Sequence, residues 1–307
     1  MPGLLRLSKI GKVFSLALVL LLVLGTIRGG ATSISKFVSI SDVPPLGYAM
    51  WQSLFASIIL LSMAYYKTRR LPSVRGRLTY YLVCGLIGTA IPNVIFFIAV
   101  RQLAAGTMAV LLTLVPIFTY LFVIFLKIER ISNHRILGVL LGFGGALIIA
   151  LPKVSGGIDI SWYVALAILC PLGYSAMSVF VGVHKFSSEH PFLLAGATQL
   201  TAFIFLLPTA VIWDQFHPIW QDPGAEEWLI LGHGLIAAIA YSLFFKIVEL
   251  AGSVFYSFSS YIIALTGIGW GMLIFNEQHG IEFVIAVLFI FGGLSLVNKR
   301  KSRQRYE

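Results

Sequence analysis

The sequence predicts an all-α integral membrane protein, with ten transmembrane helices arranged as two inverted five-helix repeats. Three observations lead there. Hydrophobic residues make up 58% of the 307 residues and charged ones only 11%, at a mean hydropathy of +0.93. A soluble domain carries about 25% charged residues, so most of this chain has nothing charged to show to water and must face lipid. Apolar runs of membrane-spanning length, about 20 residues each, recur along the chain. The second half also repeats the spacing of the first.

The first run starts at Val13, between Lys12 and Lys36. Later runs cover 45–66, 79–100, 105–126, 135–151, 161–182, 191–213, 228–248, 254–275 and 282–298. A basic start before an apolar core resembles a secretory signal peptide, and the small residues after Arg28 resemble a cleavage site. The arginine just before them and the nine further spans mark an uncleaved first helix instead. The longest connection, between 213 and 228, leaves no room for an extramembrane enzyme domain. No GxxxxGK[ST] occurs, which excludes an ATP-driven motor in this chain.

The net charge is +10, yet its distribution argues against nucleic acid as a partner. With the N-terminus in the cytoplasm, Arg6, Lys9 and Lys12, the Lys67–Arg77 cluster, Lys127, Arg130 and Arg135, Lys185, Lys246 and the tail from Lys299 all fall inside. Only Lys36, Arg101 and Lys153 fall in outside loops, and the acidic loop "WDQFHPIWQDPGAEEW" falls there too. That is the positive-inside bias, with both termini cytoplasmic in a bacterial-type inner membrane. Cys84 and Cys170 lie in different spans and form neither a disulfide framework nor a metal site.

Glu129 is followed 14 residues later by "FGG" at Phe143–Gly145, and Glu277 is followed 14 residues later by "FGG" at Phe291–Gly293. "RQLAAG" from Arg101 aligns with "VELAGS" from Val248 at a similar offset. The expected units are 1–151 and 152–307, the second ending in a basic cytoplasmic tail. Each holds an odd number of helices, so the two sit in opposite orientations across the membrane. Inverted repeats of this kind place a solute site near the midplane, between the halves.

Arg28 is the residue that an apolar span explains least. It lies about 6 Å outward of the middle of the first helix, at 1.5 Å per residue. Arg28, Thr32 and Ser35 follow at i, i+4 and i+7, a polar stripe that cannot comfortably face lipid. Two placements are open: a wet cavity inside the bundle, or snorkelling to the outer headgroups. An intramembrane charge costs about 3 kcal/mol or more, which calls for a partner or a function. None of the twelve acidic residues is mid-span. An unpaired buried guanidinium favours an anionic group supplied by a small-molecule substrate, such as a carboxylate or phosphate.

His233 and Tyr241 share one face of the eighth helix, with the roles of anion binder and of plain packing both open to the histidine. Lys246, in the last turn of that helix, suits a helix C-terminus. Pro92 and Asn93 interrupt the third span; Asn93 bonds either substrate or a neighbouring helix. Pro116 and Pro171 repeat the break in the fourth and sixth. All three prolines are candidate hinges. "GVLLG", Gly138–Gly142, is a small-xxx-small face whose first meaning is packing within the chain and whose second is a homodimer contact. No span carries paired carboxylates, an HExxH or a Cys/His cluster. No catalytic residue, metal or cofactor is therefore expected, and a lipid-acting membrane enzyme is the weaker class.

The end of the second half, "ELAGSVFYSFSSYIIALTGIGWGMLIFNE" followed by "FGG", and "LVPI" around Pro116 with Glu129 in the first, resemble the EamA-type ten-helix branch of the drug/metabolite transporter superfamily. The resemblance runs over about 13–298. It implies a secondary transporter, by alternating access, of small metabolites, amino acids or drugs, more often an exporter. It also implies that helices 1, 3, 4, 6, 8 and 9 surround the cavity, which favours Tyr174, Tyr261 and Trp270 as walls. Two positions depart from the pattern: Arg28 stands where relatives carry a tryptophan, and Gln52 where many carry an arginine. The alternative within the same fold is an uptake permease for a neutral or cationic solute.

Overall fold

The computed structural model of the protein describes residues 2–103, 108, 111–150, 162–184, 189–221, 224–275 and 281–298. Lys153, Lys185, Glu277, the boundary at 151–152 and the basic tail from Lys299 lie outside the described residues. The described residues form helices and no strand. In order they are α1 (Pro2–Ile40), α2 (Pro45–Thr68), α3 (Leu78–Gln102), α4 (Val115–Phe125), α5 (Asn133–Ala150), α6 (Trp162–Val183), α7 (Pro191–Ile212), α8 (Ala225–Ala251), α9 (Ser253–Ser257 and Ser259–Phe275) and α10 (Ile281–Asn298). Six of them, α1, α2, α3, α6, α7 and α8, are long and apolar enough to cross a membrane. The described apolar stretches of α4, α5 and α10 are shorter.

Proline sets the helix starts and breaks. α2 and α7 begin at Pro45 and Pro191, where the missing N–H costs nothing because the first turn has no partner for it. α2 ends where Arg69 takes a left-handed conformation, φ 54°, and its N–H returns to Tyr65 O at 2.8 Å. Inside α3, Val83–Ala90 forms a wide π turn, in which the Ile91 N–H reaches back five residues to Leu86 O. Pro92 follows directly, with no N–H to return the chain to the ordinary ladder. The Thr89 hydroxyl donates to Cys84 O at 3.0 Å within the wide turn. A turn at Thr113–Leu114 precedes α4, two residues before Pro116. α6 breaks at Ile168, three residues before Pro171.

Between helices surrounded by lipid, apolar burial gains little, so close approach and small residues carry the packing. α5 lies on α10 in this way. A Cβ at Gly138 would come within 2.7 Å of Gly293 O, and one at Gly293 within 2.4 Å of Gly138 O. Gly145 and Gly293, the last residues of the two "FGG" triplets, both lie at this interface, against Phe289 and Gly138, and the "GVLLG" face packs within the chain. α2 packs on α7, α1 on α8 and α9, and α6 on α3 and α4.

The two ends of the bundle are tied by different chemistry. At one end, Arg77 pairs with Glu189 at 2.6 Å, Arg135 with Glu129, and Lys246 with Glu249 at 3.1 Å. At the other, the Lys36 ammonium donates to Val100 O at 2.6 Å, and the Arg101 guanidinium donates to Ser39 O and Ser41 O. α1 and α3 both end there, so each C-terminus receives a cation from the other helix, as the helix dipole favours. The 213–221 segment closes over α2 at the same end: Trp51 Nε1 donates to His217 O at 2.6 Å, and His217 meets Glu227 at 2.8 Å.

Candidate functional site

α1 has two faces, and its glycines decide which one looks inward. Gly25 and Gly29 press against α9. A Cβ at Gly25 would meet Ile262 at 2.3 Å, and one at Gly29 would meet Thr266 Oγ1 at 2.2 Å and Gly267 N at 2.8 Å. With that side held against a neighbour, the polar stripe faces a cavity of about 80 Å³ in the middle of the bundle. Arg28, Thr32 and Ser35 all line it.

The rest of the wall comes from six other helices. α6 adds Tyr174, α3 adds Asn93, α2 adds Gln52, and α8 adds His233; α9 adds Tyr256, Ser259 and Ser260. Phe96 and Phe97, Leu112, Val115 and Ile263 make the apolar part. The guanidinium carbon of Arg28 lies 5.8 Å from the centroid of the Tyr174 ring, within the range of a cation–π contact. Tyr241 and Tyr256 are its other close aromatic neighbours. Among the described residues no carboxylate pairs with Arg28, and none lines the cavity.

A chain of hydrogen bonds runs around the wall. The Tyr174 hydroxyl donates to Asn93 Oδ1 at 3.0 Å, and Asn93 Nδ2 to Gln52 Oε1 at 3.5 Å. Gln52 Nε2 sits 2.9 Å from His233 Nε2, and the Tyr48 hydroxyl 2.6 Å from His233 Nδ1. The amide that accepts from Asn93 turns its NH2 to the imidazole. Nε2 then accepts, and the single proton of a neutral ring sits on Nδ1, facing the Tyr48 oxygen. The ring is further held by Tyr48, stacked on Phe97 with centroids 4.1 Å apart. Four helices are therefore coupled through neutral side chains whose polar groups satisfy one another.

Of the residues singled out from the sequence, Arg28, Thr32, Asn93, Tyr174 and His233 come together here. Three do not. Tyr241 sits beside the cavity, and its hydroxyl donates to Thr89 at 3.0 Å, against the wide turn of α3. Tyr261 is fully buried between α9 and α5, with its hydroxyl on Val139 O at 3.0 Å and its ring filling the space left by Gly142. Trp270 donates to Thr26 O at 3.1 Å on the outer side of the α1–α9 contact. Pro92 packs on Gly173, where a Cβ would meet the proline ring at 2.5 Å. Pro116 stands beside the turn before α4 and Pro171 beside the break in α6. Tyr48, Gln52 and the Ser259–Ser260 pair belong to the site without having been marked as such. A signal for two of them was present: Tyr48 and Gln52 are polar groups four residues apart in an apolar span, and so share one face.

Residues 15–151 match the model of the EamA-like transporter family. Over 267 residues, 85% of each chain, the protein is 24% identical to a protein of Bacillus subtilis named as the uncharacterized transporter YvbV. It is 28% identical over 174 residues to an uncharacterized transporter of Archaeoglobus fulgidus, covering 56% of this chain and 58% of that one. A protein of known crystal structure has the same fold at a TM-score of 0.70 and 18% identity, over 95% of this chain and 98% of that one. The apolar helices make the protein a multi-pass membrane protein, and these matches support an EamA-type transporter of the drug/metabolite transporter superfamily.

Proposed function

We propose that the protein is a secondary transporter, acting as an exporter, that moves a small polar metabolite with an anionic or zwitterionic group by alternating access. The observation that carries this reading is Arg28: a cation in the middle of an apolar bundle, facing a cavity, with no carboxylate among the described residues beside it. A charge so placed asks for a counter-charge from outside the chain. The guanidinium fork suits a carboxylate or a phosphate. Thr32, Asn93, Tyr174 and His233 supply the surrounding polar contacts.

Alternating access needs two halves that can rock about a central site. We take 1–151 and 152–307 as those halves, of opposite orientation, with both termini cytoplasmic in the inner membrane. The helix pairing supports this: α2 on α7 and α5 on α10 are corresponding pairs, and α1 relates to α8 and α9 as α6 does to α3 and α4. The wide turn before Pro92, the turn beside Pro116 and the break beside Pro171 lie where such a motion would bend the chain. Opening the end where α1 meets α3 requires the Lys36 and Arg101 bonds to carbonyls to part.

The test is net flux in proteoliposomes loaded with a pooled set of small metabolites. Flux of at least one anionic or zwitterionic solute, abolished in Arg28→Gln and reduced in Arg28→Lys, is the expected result. Chemical conversion of a solute without net flux overturns the transporter reading. Flux untouched by both substitutions removes Arg28 from the site.

A further inference from the structure

The cavity wall says more about the solute than its charge. Three of its hydroxyls have committed their protons to the backbone. Thr32 Oγ1 donates to Gly29 O at 2.6 Å, Ser35 Oγ to Ala31 O at 2.9 Å, and Ser260 Oγ to Ser257 O at 3.0 Å. Each oxygen therefore turns only lone pairs to the cavity. The Tyr174 proton is committed likewise, to Asn93. The wall thus offers one strong anion-binding donor at Arg28 and, about 6 Å further along α1 at Thr32, acceptors that need a donor from the solute.

Charge narrows the choice of donor. In an α-amino acid the ammonium sits next to the carboxylate, so it would lie close to the Arg28 guanidinium in a site with no carboxylate among the described lining residues. Repulsion is felt strongly where water is scarce, and a buried unpaired ammonium is costly. A hydroxyl makes the same hydrogen bonds to Thr32 and Ser35 without the charge. Size narrows it further. A cavity of about 80 Å³ is smaller than the roughly 150 Å³ void that holds benzene, which suits a solute of about lactate's size.

We infer that the solute is a short hydroxylated monocarboxylate, held by its carboxylate at Arg28 and by its hydroxyl at the Thr32–Ser35 oxygens, and that the site rejects the corresponding amino acid. This rests on the transport reading above for its flux measurement and on the cavity alone for its binding measurement.

Lactate, propionate and alanine test it, since they differ only in bearing a hydroxyl, a hydrogen or an ammonium on the same carbon. Binding to the purified full chain is measured by calorimetry and flux in proteoliposomes. Lactate is expected to bind about five- to tenfold more tightly than propionate, the worth of one hydrogen bond, and alanine not to bind at concentrations that saturate with lactate. Arg28→Gln removes lactate binding, and Arg28→Lys, which keeps the charge, retains part of it. Thr32→Val keeps propionate binding and brings the lactate-to-propionate ratio close to one, which a general folding defect would not do. Alanine binding as tight as lactate, or no lactate binding at millimolar concentration, overturns the inference and leaves the transport reading standing. Lactate bound as expected, with no flux of any solute, overturns the transport reading and leaves the inference about the site standing.

Discussion

Where α5 meets α10 the chain has removed side chains. Gly138 and Gly293 bring backbone against backbone, Gly142 makes room for the Tyr261 ring, and the Tyr261 hydroxyl is satisfied by Val139 O. Around the cavity the arrangement is the reverse. Side chains from α1, α2, α3, α6, α8 and α9 stop short of each other, polar atoms bond one another in a ring, and no carboxylate among the described residues reaches Arg28. The first region has no space and no unmet chemistry; the second has both. The difference separates residues that hold the bundle together from those free to meet a solute, although both kinds are small, hydroxylated or aromatic and look alike in the sequence.

The largest expected effect breaks the tight region. Gly293→Ala puts a methyl within 2.4 Å of Gly138 O and 3.0 Å of Gly142 N. Backbone atoms cannot step aside, and such overpacking costs about 1–3 kcal/mol or more. Gly292→Ala, one residue away, meets nothing within 4 Å and is expected to be neutral or to stabilise by about 0.5–1 kcal/mol. Thermal unfolding in detergent should separate the two neighbours clearly. Equal stability of both variants would mean that α5 and α10 do not touch as described.

The next effect belongs to the cavity ring. Gln52→Leu leaves His233 Nε2 and Asn93 Nδ2 without their partner. Each buried polar group so stranded costs about 1–3 kcal/mol, read as a fall in melting temperature together with weaker solute binding. A smaller and sharper contrast is Tyr174→Phe against Tyr261→Phe. The first removes the bond to Asn93 and alters solute affinity. The second loses about 1 kcal/mol of stability, the ordinary worth of one hydrogen bond, and leaves solute affinity unchanged. A change in affinity from Tyr261→Phe would return that ring to the cavity.

The smallest effect lies outside the membrane, at the start of α7. Burial first, then Lys67 and Lys246, holds the His190 imidazole below its usual range, and its Nδ1 accepts the Phe192 N–H at 3.3 Å. A histidine with a lowered folded-state pKa contributes stability while it is neutral. That contribution is present above the ordinary value near 6.5 and is lost as the pH falls below it. A slight fall in melting temperature between pH 7 and pH 5, absent in His190→Gln, is the expected outcome. An unchanged pH profile in His190→Gln would assign the acid sensitivity to another group.

Much of the fold was legible because lipid imposes a strong rule. Apolar runs of spanning length become helices, since a backbone in lipid must bond to itself, and the spans expected from Val13 onward match the observed elements to within a few residues. The exceptions are α4, described as a continuous helix only from Val115 against an expected start at 105, and α1, which extends back to Pro2 because helix formation does not require the apolar composition that marks the span. The polar stripe of α1 was legible too, since i, i+4 and i+7 spacing fixes a shared face whatever that face meets. The aromatic residues were not. Tyr174, Tyr241, Tyr261 and Trp270 are similar in type and setting, and only Tyr174 lines the cavity. Nor was the ring of Tyr48, Gln52, Asn93 and His233, whose members come from three helices up to 185 residues apart.

By itself the sequence determined the solvent, the helices, the recurrence of "FGG" and the presence of one mid-membrane cation. These depend on composition and on spacing within single helices. The tertiary structure alone decided that Gly25 and Gly29 seat α1 on α9, that Arg28 is thereby turned to a cavity shared by seven helices, and that no described carboxylate reaches it. Those facts depend on how far apart helix axes stand and how each is rotated. Both are set by the atoms that side chains of different helices present to one another, which no spacing within a single helix records.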